Sequence, residues 1–534
     1  MITSFKETVI QSGFAILFLI SIFLHSSLFT DPYIVPKWLF AILIILGMGI
    51  YFSVATLLGK SVTMNTSLVG KSMAIICCFQ ALYGLLQYFS LLPSNSVYGI
   101  TGSFDNPAGF AITLSAGLPF IGFLIQKGNS KYFQYVGWAT GIILLTAIIL
   151  SYSRAGIVSV IVICALFLYS RFIRKRIWKY ILLGSVVLVI VGCYWMKKDS
   201  ADGRLLIWQC GINMVKDSPW IGHGMGSFEA HYMDYQAEYF SMHGQQNNYA
   251  MLADNVKQPF NEYLGVLLNF GIIGLLVLAA IIFLLFYCYK KNVTNEKRIA
   301  LYALISIGTF SLFSYPFTYP FTWIIVFLSV FIIIREYIEA FLAMSWRRNL
   351  ICILVLGCSI VGIYKLVERI QAELKWGKIS KLALCGAHSE ALPAYEKLEK
   401  FFADNPYFLY NYAAVLLEDK QYEKSLEVSL KCRQYWADYD LELIIGETYQ
   451  QLREDRRAEA YYNNAALMCP SRFLPFYKLF TLYKENGKKK QMYDIAELIV
   501  NKPVKIRTSS ILMMKRNAKK TLLGAGYREF VSSP

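Results

Sequence analysis

The sequence contains little charge: only 16% of its 534 residues are Asp, Glu, Lys or Arg, whereas 56% are hydrophobic. A soluble globular chain carries roughly 25% charged residues. This deficit excludes an ordinary soluble protein and predicts a membrane protein whose apolar surface faces lipid. The deficit ends near residue 370, where the composition becomes a mixture of Glu, Lys, Tyr, Ala and Leu.

Acidic residues and histidines are also scarce. There are 35 Asp and Glu against 52 Lys and Arg, giving a net charge of +17. We nevertheless expect no nucleic-acid partner, because much of the positive charge lies in short loops between apolar runs, where it fixes topology. The chain has five histidines, and its eleven cysteines show no CxxC or Cys/His spacing. We therefore expect no metal and no cofactor.

Long apolar runs dominate the first two thirds of the chain. A bilayer core requires about 20 apolar residues per helix, and the sequence predicts eleven such spans. They lie at roughly 9–29, 37–58, 66–90, 108–126, 133–151, 153–171, 178–196, 263–288, 298–315, 319–338 and 348–367.

The distribution of Lys and Arg predicts the orientation of these spans. With a cytoplasmic N-terminus, the basic loops fall inside, whereas the short loops near 91–107 and 314–320, which carry no Lys or Arg, fall outside. Eleven spans then place the large loop at 197–262 and the C-terminal domain in the periplasm. A miscount by one span would move that domain to the cytoplasm.

The C-terminal part shows a period near 34 residues, the length of a tetratricopeptide unit. Small residues recur at Ala413 and Gly446, and again at Ser425 and Ala458. We expect three to four repeats over about 378–502 and a capping helix. Such arrays bind peptides or proteins, so we expect a protein partner there; the alternative is a helical stack without a ligand.

The predicted fold class is therefore all-α. Residues 1–370 form a polytopic membrane helix bundle with its large loop at 197–262. Residues 371–534 form a soluble α-solenoid of tetratricopeptide-like repeats.

Two outer segments contain candidate binding residues. In Gly99–Pro107, Asn106 is either a ligand or the cap of the next helix. In Ser151–Gly156, Arg154 lies at the outer end of a span, where it either binds an anion or extends its side chain to the interface.

The large loop supplies further candidates. Arg204 presents a planar fork of donors that suits a diphosphate, or it is a solvated loop charge. Gly222, Gly224 and Gly226 form a glycine-rich stretch, which alone is weak evidence for phosphate binding.

Together these segments resemble the O-antigen ligase superfamily. The matching pieces, in order, are Gly102-Ser-Phe-Asp-Asn-Pro107, Ser153-Arg-Ala-Gly156, Gly203-Arg204 with Trp208, Ser218 to Phe228, and Phe260-Asn-Glu-Tyr-Leu264 leading into Asn269 to Gly274.

The resemblance implies a metal-independent glycosyltransferase of the bacterial inner membrane. It would transfer a glycan from undecaprenyl diphosphate to lipid A core, a polysaccharide or a protein in the periplasm. Arg154 and Arg204 would hold the diphosphate, with Asn106, Trp208 and Asn261 as further substrate-binding residues.

One position departs from the family pattern: Phe260 stands where the family usually has the His expected to be the general base. We expect Glu262 to replace it, with His243 and Asp254 as the other candidates. Glu262 alternatively favours a helix N-terminus through the helix dipole. The loss of the His also leaves open a non-catalytic scaffold for glycan export, and the fold itself leaves open a polysaccharide polymerase. A transporter is disfavoured because no internal duplication is evident.

Overall fold

The computed structural model describes residues 13–14, 16–18, 20–60, 64–94, 98–126, 130–171, 194–245 and 248–524, with isolated positions between 180 and 192. The regular elements of these described residues are all helices. This confirms the all-α fold class predicted from the apolar runs and the repeats.

Within the described part of the chain, six helices are long and apolar enough to cross a membrane, so the chain is a multi-pass membrane protein. They are Val35–Leu57, Thr66–Tyr88, Lys131–Leu150, Glu262–Lys291, Pro320–Phe341 and Ser345–Leu384.

Other predicted spans correspond to shorter helices. Pro107–Phe123 and Arg154–Tyr169 are apolar but shorter, and Asn295–Ser311 has 17 residues. The predicted run 9–29 lies partly, and the run 178–196 mostly, outside the described residues. The count of eleven spans stays a prediction.

Close packing within the membrane part depends on small residues in Thr66–Tyr88. A Cβ on Gly70 would lie 2.4 Å from the Phe123 ring, and one on Gly84 would lie 2.4 Å from the Phe110 ring. Phe110 and Phe123 are fully buried. The two glycines therefore let the segment Pro107–Phe123 lie against this helix, where apolar burial and dispersion stabilise the bundle.

The chain divides into two compact units. One comprises Met1–Met196, Phe260–Tyr263 and Leu276–Lys378; the other comprises Lys197–Pro259, Leu264–Leu275 and Ile379–Pro534.

The repeats consist of helix pairs that begin at residues 406, 439 and 474, so the interval is 33 and then 35 residues. The pairs are Pro406–Glu418 with Tyr422–Arg433, Tyr439–Gln451 with Asp455–Met468, and Leu474–Glu485 with Lys489–Asn501; His388–Leu398 precedes them and Ser509–Gly524 follows.

The recurring small residues lie where the paired helices approach. Ala413, Ser425 and Ala458 are fully buried, and a Cβ on Gly446 would lie 2.6 Å from the Tyr462 ring. The Ser425 hydroxyl donates to the Ala413 carbonyl at 2.9 Å. The small side chains therefore permit the helix contacts that the period predicted.

The large loop forms two helices, Lys198–Asp217 and Ser227–His243, and the second packs on repeat helix Asp455–Met468. The fully buried Gln236 donates to the Met468 carbonyl at 2.6 Å. Part of the repeat surface is thus covered by the chain's own helix.

Candidate active site

Asn106 caps the helix that begins at Pro107. Its Oδ1 accepts from the backbone N–H groups of Ala108, at 2.8 Å, and Gly109, at 3.2 Å. The Tyr319 hydroxyl donates to the same oxygen at 3.1 Å, and the Asn106 amide donates to the Tyr315 hydroxyl at 3.3 Å. Asn106 therefore has the capping role, and its predicted role in substrate binding stays a prediction.

Buried polar side chains hold the loop in front of this cap. Gln87 accepts from the N–H groups of Thr101, at 3.1 Å, and Gly102, at 2.8 Å. The Lys37 ammonium, only 2% exposed, donates to the Ser103 carbonyl at 2.8 Å. Gly102 has a φ of +56°, and a Cβ there would lie 2.3 Å from Gln80. The motif is thus a rigid loop that requires glycine at this position.

The Asp105 carboxyl lies in the same loop. Burial raises its pKa above the usual range, while a hydrogen bond from the Asn106 amide, at 2.8 Å, opposes that rise. Burial likewise raises the pKa of the Tyr319 hydroxyl, so this group stays a neutral donor. The site therefore combines a buried carboxyl with neutral hydroxyl and amide donors.

Glu262 contacts the turn Tyr315–Tyr319, whose two tyrosines are hydrogen-bonded to Asn106. Its Oε1 accepts from the Phe317 N–H at 3.3 Å. Asn261 begins the helix by accepting from the Tyr263 N–H at 3.0 Å. Within the described residues, Glu262 makes no other hydrogen bond, so its second carboxylate oxygen can receive a proton.

Phe260 occupies a strained position directly before Asn261. Its φ is +52°, which a residue other than glycine rarely adopts, and its ring lies 5.3 Å from that of Tyr315. Strain of this kind costs about 1–3 kcal/mol and persists only where surrounding contacts impose it. The packing of Phe260 against Tyr315 therefore places this segment next to a residue that is hydrogen-bonded to Asn106.

An apolar cavity of about 700 Å³ is connected to the same turn through two of its lining residues. Trp38 and Trp323 line it, and their indole N–H groups donate to the carbonyls of Thr318 and Phe317, each at 2.9 Å. The rest of the lining is apolar: Phe14, Phe18, Ala41, Ile42, Ile45, Met48, Phe52, Met64, Val69, Met73, Pro320, Ile324, Phe327, Leu328 and Phe331. The turn is thus hydrogen-bonded both to two residues that line an apolar cavity and to the Glu262 carboxylate.

Arg154 is the first residue of helix Arg154–Arg171 and is half-buried. The preceding Tyr152 has a φ of +51°, and the Ser153 hydroxyl accepts from the Gly156 N–H at 3.4 Å. A Cβ on Gly156 would lie 2.9 Å from that of Ala111. The motif therefore starts the helix at Arg154 and packs it against Pro107–Gly117.

Arg204 lies in helix Lys198–Asp217 of the other unit and is half-buried. Four residues later, the Trp208 indole donates to the Pro259 carbonyl at 3.0 Å. The Trp208 indole N–H is thus used in a hydrogen bond within the chain. The binding of diphosphate by Arg204 and of the substrate by Trp208 stay predictions.

The other candidate bases make structural contacts. His243 Nδ1 lies 2.9 Å from the Tyr239 carbonyl, and its ring stacks on that of Tyr239 at 4.3 Å. Asp254 accepts from the Arg472 guanidinium at 2.6 Å. These contacts favour Glu262 over both as the proton acceptor.

Two N–H groups of the glycine-rich stretch bind backbone carbonyls of helix Glu262–Lys291. His223 and Gly224 donate to the carbonyls of Leu268, at 2.8 Å, and Asn269, at 3.0 Å. These carbonyls are freed where helix Glu262–Lys291 is interrupted at Gly271, with φ +62° and ψ −160°. The stretch therefore closes a helix break, and its role in phosphate binding stays a prediction.

Contributors to the site that were missed from the sequence include Lys37, Gln87 and the turn residues Tyr315 and Tyr319. Lys37 and Gln87 are polar residues inside apolar runs, which was the available signal. Nothing in the sequence pattern indicated a role for the turn tyrosines. Among the described residues, no three His, Cys, Asp or Glu side chains lie close enough to hold a metal ion together.

Part of the chain matches a known protein family. Residues 139–279 match the family model described as O-antigen ligase. A search of the curated proteins finds no match. Among solved structures, a chain of "Crystal structure of APC/C hetero-tetramer Cut9-Hcn1" is 10% identical, with a TM-score of 0.25, covering 89% of this chain and 76% of that chain.

The TM-score is too low to establish a shared fold, so the family match carries the assignment. That match includes Arg154, Arg204, Glu262 and the glycine-rich stretch. We conclude that this multi-pass membrane protein, whose described regular elements are all helices, is similar to the O-antigen ligase family over residues 139–279, and that this similarity favours a role in glycan biosynthesis.

Proposed function

We propose that the chain transfers a glycan from undecaprenyl diphosphate to a periplasmic acceptor: the lipopolysaccharide core, a polysaccharide or a protein. The observation that carries the proposal is the turn Tyr315–Tyr319. Its Phe317 N–H contacts the Glu262 carboxylate, while its carbonyls bind the indoles that line an apolar cavity. A donor with a lipid tail and a reactive polar head requires those two surroundings side by side.

In the proposed reaction, Glu262 is the general base. It takes the proton of the acceptor hydroxyl as that oxygen forms a bond to the anomeric carbon of the glycan. The bond from this carbon to phosphate breaks, and undecaprenyl diphosphate leaves with the electron pair. The reaction needs no oxidant, reductant or nucleotide.

The apolar lining of the cavity favours a polyprenyl tail as the group that binds there. Each buried CH₂ group contributes about 0.8 kcal/mol relative to water. Within the membrane that gain is small, since lipid is also apolar, so the cavity positions the tail more than it increases affinity.

Arg154 and Arg204 are the proposed diphosphate ligands, on the basis of the family resemblance. The leaving group gains negative charge in the transition state, and fixed guanidinium groups stabilise such charge.

A deletion strain tests the proposal. We expect loss of one surface glycan or glycoprotein and accumulation of the corresponding lipid-linked glycan. Complementation with Arg154→Ala or Arg204→Ala should fail at normal protein level. Accumulated short chains on the acceptor would indicate a polymerase instead, and a normal glycan profile in both variants would contradict the enzymatic proposal.

A further inference from the structure

Residues 253–259 form an irregular segment that connects the helices of the large loop to Phe260. The segment has no helix or strand of its own. Its position therefore depends on contacts with other elements of its unit, namely the loop helices and the repeats.

The central contact joins Asn255 to Asp438. The Asn255 amide donates to Asp438 Oδ2 at 2.7 Å. The other oxygen of Asp438 caps helix Tyr439–Gln451 by accepting from the N–H groups of Asp440, at 2.8 Å, and Leu441, at 3.2 Å. Asp438 is fully buried, and a hydrogen bond to a carboxylate is stronger than one between neutral groups.

The residues on the N-terminal side are bound as well. Ala253 is 2% exposed. The Gln236 amide bridges the Asp254 carbonyl, at 3.2 Å, and the Met468 carbonyl, at 2.6 Å. The Asp254 carboxylate pairs with Arg472 at 2.6 Å. Consecutive residues are thus bound by the large loop and the repeats.

The residues on the C-terminal side are bound by aromatic groups. The Lys257 ammonium lies 4.4 Å from the Tyr407 ring centre and 4.8 Å from that of Trp436, which suits cation–π attraction. The Pro259 carbonyl accepts from Trp208. The chain then continues directly into the strained Phe260 and the Asn261 cap.

We propose that the segment 253–259 is a tether through which the repeats position the Asn261–Glu262 turn, with Asn255 as its main positioning residue. The inference rests on the proposed function, because it assigns the tether a role in the transfer reaction. The repeats thereby act on catalysis through the chain's own backbone.

A reciprocal exchange of side chains tests the tether. Asn255→Asp places two carboxylates at the contact, which repel each other. In the double variant Asn255→Asp/Asp438→Asn, the amide introduced at position 438 donates to the carboxylate introduced at position 255. The oxygen of that amide still caps the helix, so the contact is restored. Wild type, both single variants and the double variant form a complete cycle.

The first measurement is tryptic cleavage after Lys257 in the detergent-solubilised full chain. Cleavage requires the segment to detach, so we expect Asn255→Asp to accelerate it and the double variant to return it toward the wild-type rate. Equal cleavage rates in all four proteins would overturn the tether, whatever the activity is.

The second measurement is the initial rate of transfer in membranes, with the lipid-linked glycan extracted from the deletion strain as donor. We expect Asn255→Asp to lower kcat by roughly ten- to a hundredfold, as when a reacting group moves by about 1 Å, with KM changing less. The double variant should recover kcat. A kcat that stays at the wild-type level in Asn255→Asp while cleavage accelerates would show a merely structural contact and overturn the positioning role. Full activity of Glu262→Gln would instead contradict the proposed function and leave the cleavage result standing.

Discussion

Replacing Arg433 by Ala removes one ion pair between the loop helix Ser227–His243 and the repeats and a second ion pair within the repeats. The Arg433 guanidinium pairs with Asp234 of the loop helix and, at 2.5 Å, with Glu442 of repeat helix Tyr439–Gln451. The two partners differ in burial: the Glu442 side chain is 1% exposed and that of Asp234 is 41% exposed.

This difference in burial determines how much stability each substitution is expected to cost. Removing one partner of a buried pair costs about 3–5 kcal/mol. Glu442 keeps a hydrogen bond from Asn464 at 2.9 Å, so we expect the lower end, about 3 kcal/mol, or a Tm decrease of roughly 6–12 °C for a unit of this size. Asp234→Ala breaks the exposed pair only and should cost about 0.2–1 kcal/mol.

The pH dependence has a defined sign. Burial raises the pKa of Glu442, and Arg433 opposes that rise. In Arg433→Ala the pKa therefore rises further. A carboxyl with a raised folded-state pKa stabilises the fold below its unfolded pKa, and this contribution is lost as pH rises through the folded pKa. The loss of stability in Arg433→Ala, relative to the wild type, should therefore become smaller as the pH falls below neutral.

The assay is thermal unfolding of the detergent-solubilised full chain at several pH values. The double variant Arg433→Ala/Glu442→Gln is the matched control, because it removes the charge that the single variant leaves buried, and it should recover most of the loss. Equal Tm values for Arg433→Ala and Asp234→Ala, or a deficit that grows on acidification, would refute the reasoning.

Three further predictions concern other parts of the chain. Gly271→Ala should lower the free energy of unfolding by at least about 1–3 kcal/mol, because the added Cβ would lie 2.3 Å from the Trp220 backbone. Gly265→Ala is the control in the same unfolding assay, because the nearest atom to its Cβ would be 3.6 Å away. Phe260→His should keep normal protein level and restore the family's base, so transfer by Glu262→Gln should rise when the two changes are combined; no rise would contradict this. A reporter fused after Pro534 should be active in the periplasm only, and cytoplasmic activity would show an even number of spans.

The sequence predicted the features that depend on local periodicity. The period near 34 located the repeat helices, because close helix contacts demand small residues such as Ala413 and Gly446 at fixed intervals. Apolar runs located the long helices, because a bilayer requires about 20 apolar residues for each.

Features that depend on distant contacts were not predictable in this way. In the sequence, the spacing of Gly222 and Gly224 suggests a phosphate loop. In the structure, they pack against a helix that is interrupted at Gly271. Nothing near Asn255 in the sequence indicates Asp438 as its partner, 183 positions away. The candidate site was located in part: Asn106 and Glu262 were named, but the turn that joins them was not.

The most direct test of the central claim is the transfer rate of Glu262→Gln with the extracted lipid-linked glycan as donor. We predict a fall of roughly 10²–10⁴-fold, the usual contribution of a general base, with donor binding retained. Glu339→Gln, which removes an exposed carboxylate paired with Arg335, should keep the wild-type rate. Equal rates for both variants would contradict the assignment of Glu262 as the base.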